Sequence, residues 1–170
     1  MYDLGCGDGQ IVVTAALKSG CQGVGFDIDP ERVAEANKNV ELHGVARLVS
    51  IKEQDVFQID LSEANVVMMY LLPWMIQQLA PQFDQMKPGS RIVSHDYFIE
   101  GVEPERVVYV DVDSEQSQHV VYLYTLPLRW NPNMPNKPPV RGAADRADAE
   151  KSAAEKTGSI ESNAHKKGDE

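Results

Sequence analysis

Asp3-Leu4-Gly5-Cys6-Gly7-Asp8-Gly9 stands at the start of the chain and decides how everything after it is read. It joins a short strand to a helix. Glycines at 5, 7 and 9 let the backbone turn tightly and approach a ligand without interference from a Cβ atom. The free N–H groups at the following helix start can receive an anion or a carboxylate. A bare Gly-x-Gly is a weak signal, but Asp3, two positions before the first glycine, sharpens it. A carboxylate there suits a cationic ammonium and an ordered loop, and suits a pyrophosphate poorly.

Outward from this loop, the sequence alternates strands and helices. Residues 9–19 carry Ile11/Ala15 and Val12/Ala16 at helical spacing, and Gly20 stops the helix. Residues 22–27 form a short buried strand. Asp29 caps a second helix whose first residue is Pro30, where a missing N–H costs nothing; Val33, Ala36 and Val40 mark its inner face, and Gly44 ends it. Residues 48–52 are a third strand, and the apolar run 64–72 is of the kind buried on both faces in a parallel sheet. Pro73 opens a helix with Met75, Ile76, Leu79, Phe83 and Met86 inward, which Pro81 is expected to kink or split. Lys87-Pro88-Gly89 turns the chain into a strand over 90–94. Residues 106–112 and 119–126, joined by Asp113-Ser114-Glu115-Gln116, read as an antiparallel hairpin. The order predicts an α/β fold, a doubly wound and mostly parallel sheet of seven strands with a C-terminal antiparallel hairpin. Ligands of such sheets sit outside the carboxyl ends of the strands where the strand order reverses, which is where the first loop lies.

A second acid supports a nucleoside ligand. Asp27 ends the second strand 18 positions after Gly9, close to the roughly 20-residue interval at which a carboxylate reaches a ribose hydroxyl pair. With Asp29 the better helix cap, the two acids divide their roles.

Asp-Leu-Gly-Cys-Gly-Asp-Gly followed by Gly-Phe-Asp-Ile-Asp-Pro resembles the first two motifs of the class I, seven-stranded S-adenosylmethionine-dependent methyltransferases. The resemblance covers residues 2 to about 126 and implies that Asp3, Gly5, Gly7 and Gly9 face the methionine part of S-adenosyl-L-methionine. It further implies that Asp27 binds the ribose, that Ile28 lies beside the adenine, and that Asp55, in Gln54-Asp55-Val56, approaches the adenine amino group. More narrowly, the Asp-Leu-Gly-x-Gly-Asp-Gly-x-Ile-Val stretch, Asn-Val-Val before a proline, and Pro-Gly-x-Arg-Ile-Val are similar to small bacterial methyltransferases. They are also similar to the mitochondrial lysine methyltransferases acting on ATP synthase subunit c and the adenine nucleotide translocase. That likeness implies a protein-lysine acceptor; a small-molecule acceptor and a cofactor-binding module without activity are the alternatives. A nicotinamide oxidoreductase fits less well, because position 10, where its fingerprint needs a small residue, is Gln10.

On the acceptor side the chain reads Tyr70-Leu71-Leu72-Pro73-Trp74, without the Asn-Pro-Pro-Tyr that holds a planar amide or base amine. Tyr70 and Trp74 are the candidate substrate-side residues, able to stabilise a cationic amine through their ring faces. Ser94-His95-Asp96 ends the fifth strand; neighbours on a strand point to opposite faces, so His95 and Asp96 need not meet. His43 and His119 read as structural or exposed, and His165 lies in the tail.

The formal net charge of −10 argues against a broad phosphate-binding face, so nucleic acid is not the expected partner. Cys6 and Cys21 form no CxxC, and no disulfide framework or metal site is expected. No apolar run nears the roughly 20 residues that span a bilayer, and with no signal peptide the expected compartment is cytoplasmic. Only two apolar residues precede the glycine loop, which favours a start that truncates the natural first strand. Residues 1–130 read as one domain. From Asn131 the chain is Pro-rich and then charged, with Ile160 its one large apolar residue after Val140, so 131–170 is expected to be a disordered tail.

Overall fold

The computed structural model describes residues 1–112 and 117–134. The expected turn at 113–116 and the tail from residue 135, with Ile160 and His165, lie outside the described residues. The elements are β1 (Tyr2–Leu4), α1 (Gln10–Ser19), β2 (Gly23–Asp27), α2 (Pro30–Leu42), β3 (Val49–Glu53), β4 (Val66–Met69), α3 (Pro73–Phe83), β5 (Arg91–His95), β6 (Arg106–Val112) and β7 (Ser117–Thr125). They make a seven-stranded sheet in the order β3-β2-β1-β4-β5-β7-β6. β1 to β5 pair in parallel, while β7 runs antiparallel between β5 and β6. This is the expected seven-stranded architecture with its reversed hairpin, and the order reverses at β1.

Local signals account for the elements. Asp29 accepts a hydrogen bond from Glu31 N–H at 2.8 Å with Pro30 in the first turn, as the sequence predicts. α3 runs through Pro81 as one helix. The proline lies two residues from the helix end, where its missing N–H removes a bond from a turn already ending. Asn131 to Met134 form a turn closed by Met134 N–H on Asn131 O at 3.0 Å and anchored by Asn131 N–H on Gly101 O at 2.7 Å.

The period of two along the strands sorts side chains between two faces. Tyr2 and Leu4 of β1, Val24 and Phe26 of β2, and Val67 and Met69 of β4 enter the larger cluster, shared with Ile76, Leu79 and Phe83 of α3. The other face packs Val12, Val13 and Ala16 of α1 with Val40 of α2 and Val49 of β3. On that second face β2 presents Gly23 and Gly25 ahead of Asp27 at its end. A Cβ on Gly23 would lie 2.4 Å from Val12 Cγ2, and one on Gly25 would lie 2.9 Å from both Cys6 Sγ and Ile51 Cδ1. Missing side chains at these two positions seat α1 and the loop before it directly on the sheet.

Gly23→Ala is therefore expected to destabilise the fold by about 1–3 kcal/mol in urea unfolding, through overpacking against Val12. In a Val12→Ala background the same change should cost less; additivity of the two would contradict the assigned contact.

Candidate active site

The glycine loop hangs from the end of β2. Gly5 and Cys6 both donate their backbone N–H groups to Phe26 O at 2.9 Å. Gly7 N–H donates to Asp27 Oδ2 at 2.9 Å, and Asp29 N–H to Asp27 Oδ1 at 3.1 Å. From α2, Asn39 Nδ2 donates to Asp8 O at 2.8 Å. Gly7 has φ of 54° and a Cβ there would meet nothing within 4 Å, so the backbone at this point borders open space. Gly9, at φ of 76°, is the N-cap of α1 and lies close to α2, since an added Cβ would come 3.1 Å from Ala36 Cβ. Having no side chain, it contributes no capping group.

Asp8 supplies the capping group: its Oδ1 accepts the Gln10 N–H at 3.1 Å. The position of Asp3 between Tyr2 and Leu4 turns its side chain to the α1 face, where the backbone N–H of Val12 in the first turn favours its charged form. Asp3 is only 2 % exposed and its Oδ2 has no partner. Burial raises its pKa to about 7, opposed by the Val12 hydrogen bond and assisted by the charges of Asp27 and Asp8. Burial, with the neighbouring Asp3 and Asp27 charges, pushes the Cys6 thiol up to about 12, so this thiol is inert. A buried carboxylate oxygen without a donor, beneath a loop open to solvent, is the kind of group a cationic ligand compensates.

Beyond Asp27 the rim continues. Ile28 is 68 % exposed. Gln54 N–H donates to Asp27 O at 2.8 Å and draws the following segment against the end of β2. Asp55 is half-buried there and accepts Phe57 N–H at 3.0 Å, capping a single 3-10 turn at Val56–Gln58. The Val56 side chain is buried in the core, which leaves its main chain for a ligand. The structure thus brings Gly7, Asp27, Ile28 and the Asp55 turn to one rim.

A second group forms at the carboxyl ends of β4 and β5. The exposed Tyr70 ring lies 4.3 Å from His95 and 6.3 Å from Tyr97, centroid to centroid. The exposed Trp74 ring instead has Phe57 as its neighbour at 6.1 Å, so the two aromatic candidates serve different parts of the rim. The His95 and His119 rings are 4.8 Å apart. His119 Nδ1 lies 2.9 Å from Asp96 Oδ2, and His95 Nε2 lies 3.6 Å from Asp96 Oδ1. His95 and Asp96 meet, contrary to strand alternation, because Asp96 lies past β5 at φ of 60°. Asp96 is further pinned by Val120 N–H on its Oδ1 at 3.0 Å. The donor atoms of these three residues fall within 4.8 Å of one another, a spacing that imidazole–carboxylate contacts account for. The sequence reading missed His119 and its link to Asp96. The signal was the hairpin register: His95 pairs with Val121, which makes His119 its diagonal neighbour on the same face.

At the opposite, amino end of the sheet a cavity of about 880 Å³ is lined by residues including Tyr2, Val24, Arg47, Asn65 and Arg91. It lies away from the strand ends where ligands of doubly wound sheets bind.

Residues 3–106 match the ANTKMT methyltransferase domain. The chain belongs to that family. A protein-lysine N-methyltransferase of Saccharolobus islandicus is 42 % identical over 128 residues, covering 74 % of this chain and 78 % of that protein. An RNA methyltransferase of Salinibacter ruber, solved in complex with S-adenosyl-L-homocysteine, is 42 % identical at a TM-score of 0.66, covering 80 % of this chain and 83 % of that one. The ribosomal protein L11 methyltransferase of Sodalis glossinidius is 40 % identical over 92 residues, and the match spans only 31 % of its length. As a member of the ANTKMT methyltransferase family, the chain is an S-adenosylmethionine-dependent methyltransferase. Among the described residues, no helix is long and apolar enough to cross a membrane.

The Asp3 carboxyl gives a test. The unfolded chain ionises near the ordinary value of 3.8, while the ligand-free fold holds the proton to about 7. Between those values the folded state binds more protons, so stability falls as pH rises, by about 1.4 kcal/mol per pH unit from this group. Urea unfolding of the native chain and Asp3→Asn at pH 4, 5.5 and 7 should show the difference moving steadily in favour of the variant; a constant difference would contradict the buried, protonated carboxyl.

Proposed function

We propose that this methyltransferase modifies lysine side chains of protein. Support comes first from the lysine-modifying relative, matched at 42 % identity over 78 % of its length. The chain's own charge agrees: at −10 it attracts a cationic side chain and repels a phosphate backbone. The exposed rings of Tyr70 and Trp74 suit an ammonium approaching over π faces.

In this reading Asp3, Gly5, Gly7, Gly9, Asp27, Ile28, Asp55 and Val56 hold S-adenosyl-L-methionine, which supplies an electrophilic methyl on a sulfonium. Asp27 fits the ribose: each of its oxygens accepts one backbone N–H and keeps a lone pair for a hydroxyl donor. Gly7 leaves room for close backbone approach, and the buried Asp3 stands behind the loop with an unpartnered oxygen for the cationic amino group. Ile28 offers an apolar surface to a base. The chain contributes alignment of an amine in line with the methyl, and alignment supplies much of the acceleration in such displacements. Cys6 and Cys21 are both free, in keeping with a reducing cytoplasmic compartment.

Incubation with methyl-labelled cofactor and a bacterial lysate, followed by acid hydrolysis, is expected to give labelled methyl-lysine. Label recovered in RNA nucleosides or in small molecules would overturn the lysine acceptor, and no label in any fraction would favour a binding module without activity. Asp27→Ala is expected to weaken S-adenosylhomocysteine binding in calorimetry by about 10- to 100-fold, the loss of hydrogen bonds to a charged group. Unchanged affinity would remove Asp27 from the site.

A further inference from the structure

Tyr70, His95 and His119 place three rings in succession around one carboxylate, that of Asp96. They come from three separate segments: the end of β4, the end of β5 and the beginning of β7. Asp96 sits at their centre in a left-handed backbone conformation that the surrounding structure must hold in place. Val120 does so twice, donating its N–H to Asp96 Oδ1 and accepting the Asp96 N–H at 2.7 Å. Nothing in the binding of an adenosyl group requires this arrangement. A lysine acceptor does require something of the kind, since at pH 7 roughly one free amine in 2,500 is neutral.

We propose that His95, backed by Asp96 and His119, is the catalytic base that removes the proton from the acceptor ammonium. The proposal rests on the lysine reading above. The proton passes from the ammonium nitrogen to the His95 ring nitrogen that does not face Asp96. The imidazolium so formed lies 3.6 Å from the Asp96 carboxylate, which balances its charge. The amine lone pair then forms the nitrogen–carbon bond to the methyl, and the carbon–sulfur bond breaks with its electron pair left on sulfur. The product is a methylated ammonium, and His95, whose side chain is 23 % exposed, returns its proton to water.

The titratable groups facing His95 are Tyr70 just past β4, Asp96 after β5 and His119 on β7, with Tyr97 stacked on Tyr70 and Tyr122 of β7 in the field of Asp96. Burial holds His95 below the usual histidine range, with Asp96 opposing and His119 assisting. His95 is thus neutral and ready to accept at pH 7. Asp96 stays ionised: burial alone would raise its pKa, but the Val120 and His119 hydrogen bonds and both imidazoles hold it low. Tyr70 is raised by burial first and by the Asp96 charge, so it remains a neutral phenol beside the amine.

The test measures methyl-lysine formed in a fixed lysate preparation from pH 6 to 10 with the native chain, His95→Gln, Asp96→Asn and His119→Gln. At pH 7 His95→Gln should lose about 100-fold in rate, with the deficit shrinking toward pH 10, where the ammonium loses its proton unaided. Asp96→Asn and His119→Gln, as positioning changes, should lose less and move the acid limb of the profile. S-adenosylhomocysteine affinity should be unchanged in all three, which separates a lost base from a lost fold or cofactor site. Independently of turnover, NMR titration of the His95 ring should show a midpoint below 6.5, shifted lower in Asp96→Asn. A His95→Gln profile parallel to the native one, or a His95 midpoint indifferent to Asp96→Asn, would overturn the proposal. So would loss of activity in EDTA restored by zinc. Cofactor binding by the native chain without any methyl-lysine would overturn the lysine reading and this inference with it, while leaving the cofactor site standing.

Discussion

One carboxylate, Asp27 at the end of β2, holds two turns in register. Its Oδ2 takes the N–H of Gly7 from the loop after β1, and its Oδ1 takes the N–H of Asp29 at the entrance to α2. The backbone carbonyl of the same residue receives Gln54 N–H from the segment after β3. Three loops thereby meet at a single residue at the point where strand order reverses. A ligand arriving there meets a rim already organised, so less of its binding energy is spent on ordering loops.

The two faces of the sheet make this possible by opposite means. Toward α3 the strands offer large apolar side chains, and Leu4, Val67, Met69 and Ile92 vanish from solvent among Ile76, Leu79 and Phe83. Toward α1 the sheet offers absences, Gly23 and Gly25, and one buried acid, Asp3. Close approach of α1 brings the Val12 N–H near the buried Asp3, while Asp8 of the loop caps the helix start at Gln10. With Asp8 as the capping side chain, the glycines on either side of it carry none, and the loop backbone borders open space at Gly7. Burying a carboxylate costs stability, and the fold tolerates a raised pKa at the place where a cationic ligand would offset it.

Much of this was legible in the sequence because it is local or periodic. The helical repeat of α1, the Asp29–Pro30 entrance to α2, and the alternation that marks the hairpin each depend on residues within a few positions of one another. The acids at 3 and 27 were legible as candidates from their places beside the glycine loop and 55 only through the family resemblance, and the structure collects 27 and 55 with Ile28 at one rim. Legibility ended where tertiary register intervened. His119 joins His95 and Asp96 only through β5–β7 pairing, which no local pattern displays. His95 and Asp96 appeared bound for opposite faces because strand alternation does not reveal that the backbone leaves the strand at Asp96 with a positive φ. Nor does the sequence reveal that the two substrate-side candidates take different neighbours, Tyr70 beside His95 and Trp74 beside Phe57.

The organised rim can be observed directly by following backbone amide resonances during titration with S-adenosylhomocysteine. The account expects the largest shifts at Gly5, Gly7, Gly9, Ile28 and Val56, with Tyr2, Arg47 and Arg91 at the opposite end of the sheet unmoved. Saturable shifts confined to that amino-end cavity, with the glycine loop silent, would contradict it.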